Sequence, residues 1–250
     1  MKTSTQVVVI GGGVVGASIL YHLTKAGWTD VVLVERKELT AGSTWHAAGG
    51  MLTLNGDPNI AALQRYTVQL YKDIEEISGV SCGIHQTGEL MLADTEERLD
   101  WLRMINARGQ YLSMETEMIS VSEAKEMLPI LEEKHFAGAM WDPVGGHVDP
   151  SGVTNAYAAA ARMAGAEVYR NTWAHDLVQK NDGTWDVVTE QGTINTEHIV
   201  NCGGLWAREV GRMCGIELPI LAMEHMYLLT EEIPEIKPWL EATGGFGFGA

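Results

Sequence analysis

The hydrophobic pattern of the first 36 residues predicts a strand, a helix and a second strand. Residues 7–10, VVVI, are apolar and β-branched, which is typical of a strand buried on both faces. Apolar positions then recur with helical spacing at Ala17, Leu20 and Leu23, and a glycine follows where the helix ends. The apolar run VVLV at 31–34 predicts the second strand. The chain therefore begins with a βαβ unit.

The turn between the first strand and the helix carries a GxGxxG motif formed by Gly11, Gly13 and Gly16. In a dinucleotide-binding fold the first glycine allows a tight turn. The second lets the backbone approach a pyrophosphate, and the third permits close contact between helix and strand. The N-terminus of the helix offers N–H groups and a partial positive charge to the phosphates.

The second strand ends on Glu35, about twenty positions after the last glycine of the motif. A carboxylate at this point accepts hydrogen bonds from ribose hydroxyls. Glu35 followed by Arg36 suits an adenosine ribose without a phosphate, which favours FAD or NAD over NADP. A glycine motif alone can be a structural turn, but the strand, glycines, helix, strand and acid together predict a dinucleotide site.

Beyond residue 56 the pattern departs from regular βαβ repeats. The predicted helices cover 59–77, 95–109 with Asp94 and Glu97 as a capping box, 120–129, 153–166 after Asp149 as N-cap and Pro150, and 205–215. The predicted strands cover 88–93, 167–179, 184–190 and 192–204. A simple NAD dehydrogenase gives regular repeats, so the helical excursion and the antiparallel return indicate a flavoprotein.

Composition and charge exclude several classes of partner. The 250 residues suffice for one large domain or two small ones, and 17 basic against 33 acidic residues give a net charge of −16. Nucleic acids and anionic membranes both require a basic face, so neither is expected as a partner. Apolar runs stay shorter than the roughly 18–20 residues of a membrane span.

The cysteines and the N-terminus indicate the compartment. Cys82, Cys202 and Cys214 are widely spaced and form no CxxC pair, which fits a reducing compartment and no zinc site. His135, His147, His175 and His198 show no metal-binding spacing either, so no metal is expected. The N-terminus lacks the features of a secretory signal. The sequence therefore predicts a soluble cytoplasmic protein, or one of the mitochondrial matrix if its source is eukaryotic.

Four stretches resemble the dimethylglycine dehydrogenase and sarcosine dehydrogenase group of D-amino-acid-oxidase-like FAD enzymes. They are VVVIGGGVVGASILYHLTKAG, VVLVERKELTAGSTWHAAG, IVNCGGLWAREVGRMCGIELPI and EHMYLLTEEIPEI. The resemblance covers residues 5 to 236. It implies an α/β fold in which a Rossmann-like FAD-binding domain is interrupted by a helical and antiparallel-sheet substrate domain. The FAD-binding segments are expected at 5–56 and 145–215, and the substrate-domain segments at 57–144 and 216–236.

The resemblance assigns a role to the loop AGSTWHAAGG at residues 41–50. It implies that His46 bonds covalently to the 8α-methyl carbon of the flavin, whereas composition alone favours a histidine of the core. The same loop supplies the other expected flavin contacts, which are Gly42, Ser43, Thr44, Trp45, Ala47, Ala48, Gly49 and Gly50. The small residues let the chain run against a flat ring, and the hydroxyls of Ser43 and Thr44 can donate to cofactor oxygens.

Further positions follow from the same resemblance. Val14 and Val15 are expected in the phosphate turn, Glu35 and Arg36 at the adenosine, Ala174 at the adenine, and Trp206 at a later cofactor-facing turn; for Trp206 ordinary packing is the alternative. His225 is the expected catalytic residue, which hydrogen-bonds the substrate and influences amine protonation. Its alternative is a histidine on a sheet strand.

The implied activity is FAD-dependent oxidation of a methylated glycine at its N-methyl carbon, with an electron-transfer flavoprotein or oxygen as acceptor. Another amino-acid oxidase of this fold, or a flavin-binding protein without turnover, remains open. The match ends near residue 236, before the Gly-rich tail 237–250. The chain is therefore expected to be truncated, and to fold poorly and hold FAD weakly in isolation.

Overall fold

The computed structural model describes residues 1–226, 228 and 230–238. The strands are β1 Ser4–Ile10, β2 Val31–Val34, β3 Gly50–Met51, β4 Glu89–Ala93, β5 Glu117–Ile119, β6 Gly138–Asp142, β7 Gly146–His147, β8 Glu167–Tyr169, β9 Ala174–Gln179, β10 Trp185–Thr189 and β11 Gly192–Asn201. The helices are α1 Val14–Lys25, α2 Pro58–Ser78, α3 Glu96–Tyr111, α4 Val121–Met127, α5 Pro150–Met163 and α6 Ala207–Met213. Most of the expected tail, 239–250, lies outside the described residues.

The described chain divides into two compact units. The first contains residues 1–49, 71–83 and 148–224, and the second contains 50–70, 84–147 and the described residues from 225 onward. Residues 71–83 and 216–224 group with the first unit, although the sequence places them in substrate-domain segments. The last two turns of α2 account for the first difference, because this helix runs from one unit into the other.

A six-stranded mixed sheet forms the centre of the first unit, in the order β8-β2-β1-β11-β10-β9. β1 pairs in parallel with β2 and with β11, so that Val8 lies between Val32 and Ile199. β9, β10 and β11 form the antiparallel meander that the sequence predicts. The parallel strands β1, β2 and β11 all end at one edge, which is where an open α/β sheet binds its ligand.

Burial explains why residues 7–10 of β1 and all four residues of β2 are apolar. Val8, Val9 and all four residues of β2 are almost completely buried, as expected for parallel strands covered on both faces. α1 and α5 contact each other through Tyr21 and Tyr157, whose ring centroids are 5.6 Å apart. Asp149 caps α5 by accepting a hydrogen bond from the Ser151 amide, with proline in the first turn, as predicted.

The second unit contains a three-stranded antiparallel sheet, β4-β6-β5, and a two-stranded ladder, β3-β7. α3 covers the larger sheet through Leu99 and Leu102, which pack with Ala93 and Met140. The cap of α3 is Thr95, one residue later than predicted; its side chain accepts from Arg98 N. Both Asp94 and Thr95 suit an N-cap, so composition does not decide between them.

Two other predicted elements need correction. The predicted strand 167–179 is two strands, because the chain turns at Asn171, where φ is +50°. β8 then pairs in parallel with β2 at one edge of the sheet, and β9 pairs with β10 at the other. The predicted helix 205–215 begins as a 3₁₀ turn at Gly204–Trp206 before α6.

Candidate functional site

The glycine turn after β1 has room only for glycine at two positions. Gly11 has φ +116°, and a Cβ built there would lie 2.2 Å from the carbonyl oxygen of Cys202. A Cβ on Gly16 would lie 1.9 Å from the carbonyl oxygen of Gly11. The close approach of α1, β1 and β11 therefore depends on both glycines. Burial raises the pKa of the Cys202 thiol to about 11, so this side chain stays neutral beside the turn.

The first turn of α1 presents open backbone donors. Its N-cap, Gly13, provides no side-chain hydrogen bond, and the first intrahelical bond runs from Ala17 N to Gly13 O. Within the described part of the chain the amides of Gly13 and Val15 have no acceptor. A helix N-terminus with open amides and a positive dipole end is suited to a phosphate.

Glu35 lies beside this turn and holds it. Gly12 N donates to Glu35 Oε2 at 2.7 Å, and Lys37 N donates to Oε1 at 2.8 Å. Each carboxylate oxygen keeps a further lone pair for a ribose hydroxyl. Thr172 N donates to the backbone oxygen of Glu35 at 2.7 Å. This contact brings the start of β9, with the buried Ala174, alongside the end of β2.

The loop 41–50 is held in the first unit by hydrogen bonds at Thr44 and Gly49, and Trp45 N also donates to Thr40 O at 3.4 Å. Thr44 is buried, and its Oγ1 accepts a hydrogen bond of 3.0 Å from Val14 N at the start of α1. At the other end, Val148 N donates to Gly49 O at 2.9 Å. Gly49 has φ +75°, and a Cβ there would lie 2.1 Å from Val148 O. The loop is therefore anchored beside the glycine turn.

Between and beside these anchors the loop presents exposed residues. His46 is exposed, and its ring contacts that of Trp45, with centroids 3.8 Å apart and planes inclined by 35°. Ser43, Ala47, Ala48 and Gly50 are also exposed. An exposed imidazole among small residues has the accessibility that a bond to a planar cofactor requires.

Three predicted cofactor residues from separate segments lie together. The Arg36 guanidinium stacks over the Trp206 ring at 3.7 Å from its centroid. A Cβ on Gly42 would lie 3.5 Å from Trp206 Cζ3. The end of β2, the loop and the turn after β11 thus meet at one indole, and the role of Trp206 at the cofactor stays a prediction.

His225 is exposed and lies in a stretch that is neither helix nor strand. Its neighbours at 227 and 229 fall outside the described residues. Its role at the substrate therefore stays a prediction.

Sequence reasoning missed two pairs of titratable groups in the second unit. His85 and His147 stack with ring centroids 4.9 Å apart, and each backbone N–H donates to the other residue's oxygen at 2.9 Å. Burial, and then the neighbouring His85, lower the pKa of His147. Glu89 faces Asp142 across β4 and β6, and burial followed by the charge of Asp142 raises the pKa of Glu89. These residues are far apart in sequence, so no local pattern pairs them.

Two further observations concern membranes and metals. No helix in the described part of the chain combines the length and the apolar character needed to cross a bilayer. Among residues 1–226, 228 and 230–238, no group of three or more His, Cys, Asp or Glu side chains is arranged to hold a metal ion.

The observed features fit FAD. Open amides at α1 suit the pyrophosphate, the spare lone pairs of Glu35 suit a ribose, and the anchored loop of small residues suits a flat ring. The edge where β1, β2 and β11 end brings all three together in the first unit.

Comparison with known proteins agrees with this fit. Human mitochondrial dimethylglycine dehydrogenase is 41% identical over 236 residues, which cover 94% of this chain and 27% of that protein. Human mitochondrial sarcosine dehydrogenase is 36% identical over 246 residues, which cover 95% and 26%. The chain thus spans about a quarter of the length of these relatives.

A solved structure and a family model give the same result. The crystal structure of L-proline dehydrogenase from P. horikoshii matches with a TM-score of 0.80 and 30% identity, over 86% of this chain and 57% of that one. A family model described as FAD dependent oxidoreductase matches residues 6–248, past residue 236, where the resemblance read from the sequence ends. The chain therefore belongs to the FAD-dependent oxidoreductase family that includes the D-amino-acid-oxidase-like enzymes.

Proposed function

We propose that the protein oxidises an N-methylated glycine, dimethylglycine or sarcosine, with FAD bound covalently to His46. The observation that carries the proposal is the anchored loop 41–50, which presents an exposed His46 beside the dinucleotide turn. The identities to the two human methylglycine dehydrogenases support this substrate class. Bound FAD supplies the chemistry by accepting, at N5, a hydride from the N-methyl carbon of the unprotonated amine.

The chain's own residues bind and orient the cofactor in this proposal. The amides of Gly13 and Val15 bind the pyrophosphate, and Glu35 accepts from the ribose hydroxyls. Arg36 and Trp206, already stacked on each other, hold the turn after β11 against the loop. His46 fixes the ring position, which lowers the entropic cost of aligning ring and substrate.

His225 is the proposed substrate-side residue. A neutral imidazole can hydrogen-bond the substrate and accept a proton from its ammonium form, which exposes the nitrogen lone pair that assists hydride loss. Electrons then leave to an electron-transfer flavoprotein or to oxygen. The mitochondrial names of the two relatives support a matrix location if the source is eukaryotic; otherwise the proposed location is the cytoplasm.

A second candidate is oxidation of another amino acid. The similarity to a solved L-proline dehydrogenase supports it, because proline is an amino acid without an N-methyl group.

Anaerobic titration of the full-length protein distinguishes these functions. Without oxygen, dimethylglycine or sarcosine should reduce the flavin and bleach its visible absorbance, while proline and D-amino acids should leave the absorbance unchanged. Bleaching by proline or a D-amino acid alone would favour the second candidate. A flavin that no amine reduces would indicate a binding protein without turnover.

A further inference from the structure

We propose that Thr44 is a positioning residue for flavin attachment, because its hydroxyl holds the His46 loop on the first turn of α1. This inference rests on the proposed bond between His46 and FAD. Val14 N donates to Thr44 Oγ1 at 3.0 Å across 30 residues of sequence. The helix lacks a cap of its own at Gly13, so Thr44 supplies one from the loop.

Thr44 contributes to the position of His46, together with the backbone hydrogen bond from Trp45 N to Thr40 O at 3.4 Å. Ala47 N donates to Thr44 O at 3.1 Å, which closes a turn around Trp45 and His46. Gly49 is held by Val148 three residues beyond His46. The imidazole is therefore carried by a short segment between two fixed points. Such restriction raises the effective concentration of one reacting group at another.

The Thr44 hydroxyl also keeps a proton to donate. Its oxygen accepts from Val14 N, and the described part of the chain offers its O–H no acceptor. A hydroxyl both accepts and donates, so a cofactor phosphate oxygen at the start of α1 fits as the partner. Thr44 then links α1 and the loop to the cofactor through hydrogen bonds of one hydroxyl.

The attachment step balances without a further catalyst. The imidazole loses its N–H and gains a bond to the 8α-methyl carbon, which loses one C–H. The two protons released from the N–H and the C–H, with the two electrons, would pass to the ring, from which dioxygen would remove them as hydrogen peroxide. The chain's contribution is the placement of the imidazole.

Two substitutions remove the contact from opposite sides. Thr44→Val keeps the shape but loses the hydroxyl, and Val14→Pro removes the donor at the first helical position, where proline is tolerated. Thr44→Ser keeps the hydroxyl. Thr24→Val is a matched control, since Thr24 is a buried threonine of α1 whose hydroxyl donates to Tyr21 O of the same helix.

The experiment follows attachment in the full-length protein after FAD is added to the apoprotein, as acid-stable flavin per total bound flavin. At FAD concentrations that saturate non-covalent binding, Thr44→Val and Val14→Pro should slow attachment at least about tenfold, and Thr44→Ser and Thr24→Val should attach FAD at the normal rate. If Thr44→Val does not fold, the attachment rates of Val14→Pro and Thr44→Ser test the inference instead. Normal attachment in Val14→Pro or Thr44→Val overturns the inference.

The results that would contradict the proposed function differ from those that would overturn the role of Thr44. Absence of acid-stable flavin from the unmutated protein would contradict the bond to His46 and, with it, this role of Thr44. Slow attachment in the variants, with unmutated protein that attaches FAD but oxidises no methylated amine, would support Thr44 and contradict only the substrate assignment.

Discussion

Replacing Gly16 by alanine should separate α1 from the sheet and weaken FAD binding. The added Cβ would lie 1.9 Å from Gly11 O, whereas carbon and oxygen make contact at about 3.3 Å. The helix must therefore move by more than about 1 Å. Gly11 cannot yield, because its own position is limited by φ +116° and by the nearby Cys202 oxygen. Overpacking of this kind costs about 1–3 kcal/mol.

The same movement displaces the amides of Gly13 and Val15 from the proposed pyrophosphate site. We expect the midpoint of thermal unfolding of Gly16→Ala to fall by about 2–12 °C, since 1 kcal/mol lowers it by about 2–4 °C in a domain of this size. In a His46→Ala background, where FAD can dissociate, the FAD dissociation constant should rise at least about tenfold.

The matched control for this prediction is Gly56→Ala. Gly56 is exposed, and a Cβ there meets nothing within 4 Å. If Gly16→Ala has the same unfolding midpoint and FAD affinity as Gly56→Ala, the claim that α1 packs too closely on the glycine turn to admit a side chain at Gly16 is wrong.

The remaining predictions concern histidines. The folded-state pKa of His147 is lowered, so the unfolded chain binds more protons and the free energy of unfolding falls as pH drops below about 6.5. Replacement of His147 by asparagine should reduce this loss between about pH 8 and pH 5; an unchanged slope of the free energy of unfolding with pH would contradict it. His225→Ala should slow flavin reduction or weaken substrate binding and leave the flavin bound, and unchanged reduction kinetics across pH would exclude its proposed role.

The sequence predicts those parts of the fold that depend on neighbouring residues. β1, α1 and β2 follow from apolar periodicity, and Asp149 with Pro150 marks the start of α5, because each signal lies within one element. The division of 167–179 into β8 and β9 is different. Both pieces have strand-like composition, and only tertiary pairing with β2 and β10 separates them.

The candidate site shows the same limit. The glycine motif and the acid at the end of β2 are visible locally, and the resemblance supplies the loop. The contacts that join them, from Val14 to Thr44 and from Arg36 to Trp206, link residues 30 or more positions apart. No periodic pattern reports such contacts, and the stacking of His85 on His147 is invisible for the same reason.

One measurement decides most directly whether the loop 41–50 carries the flavin. The full-length protein is precipitated with acid and digested, and the peptides are separated by flavin absorbance and sequenced by mass spectrometry. The yellow peptide should contain His46, and its mass should exceed the unmodified value by that of FAD less two hydrogens. Unmodified His46 peptide with all flavin in the acid supernatant, or flavin attached at another residue, would contradict the proposed tether.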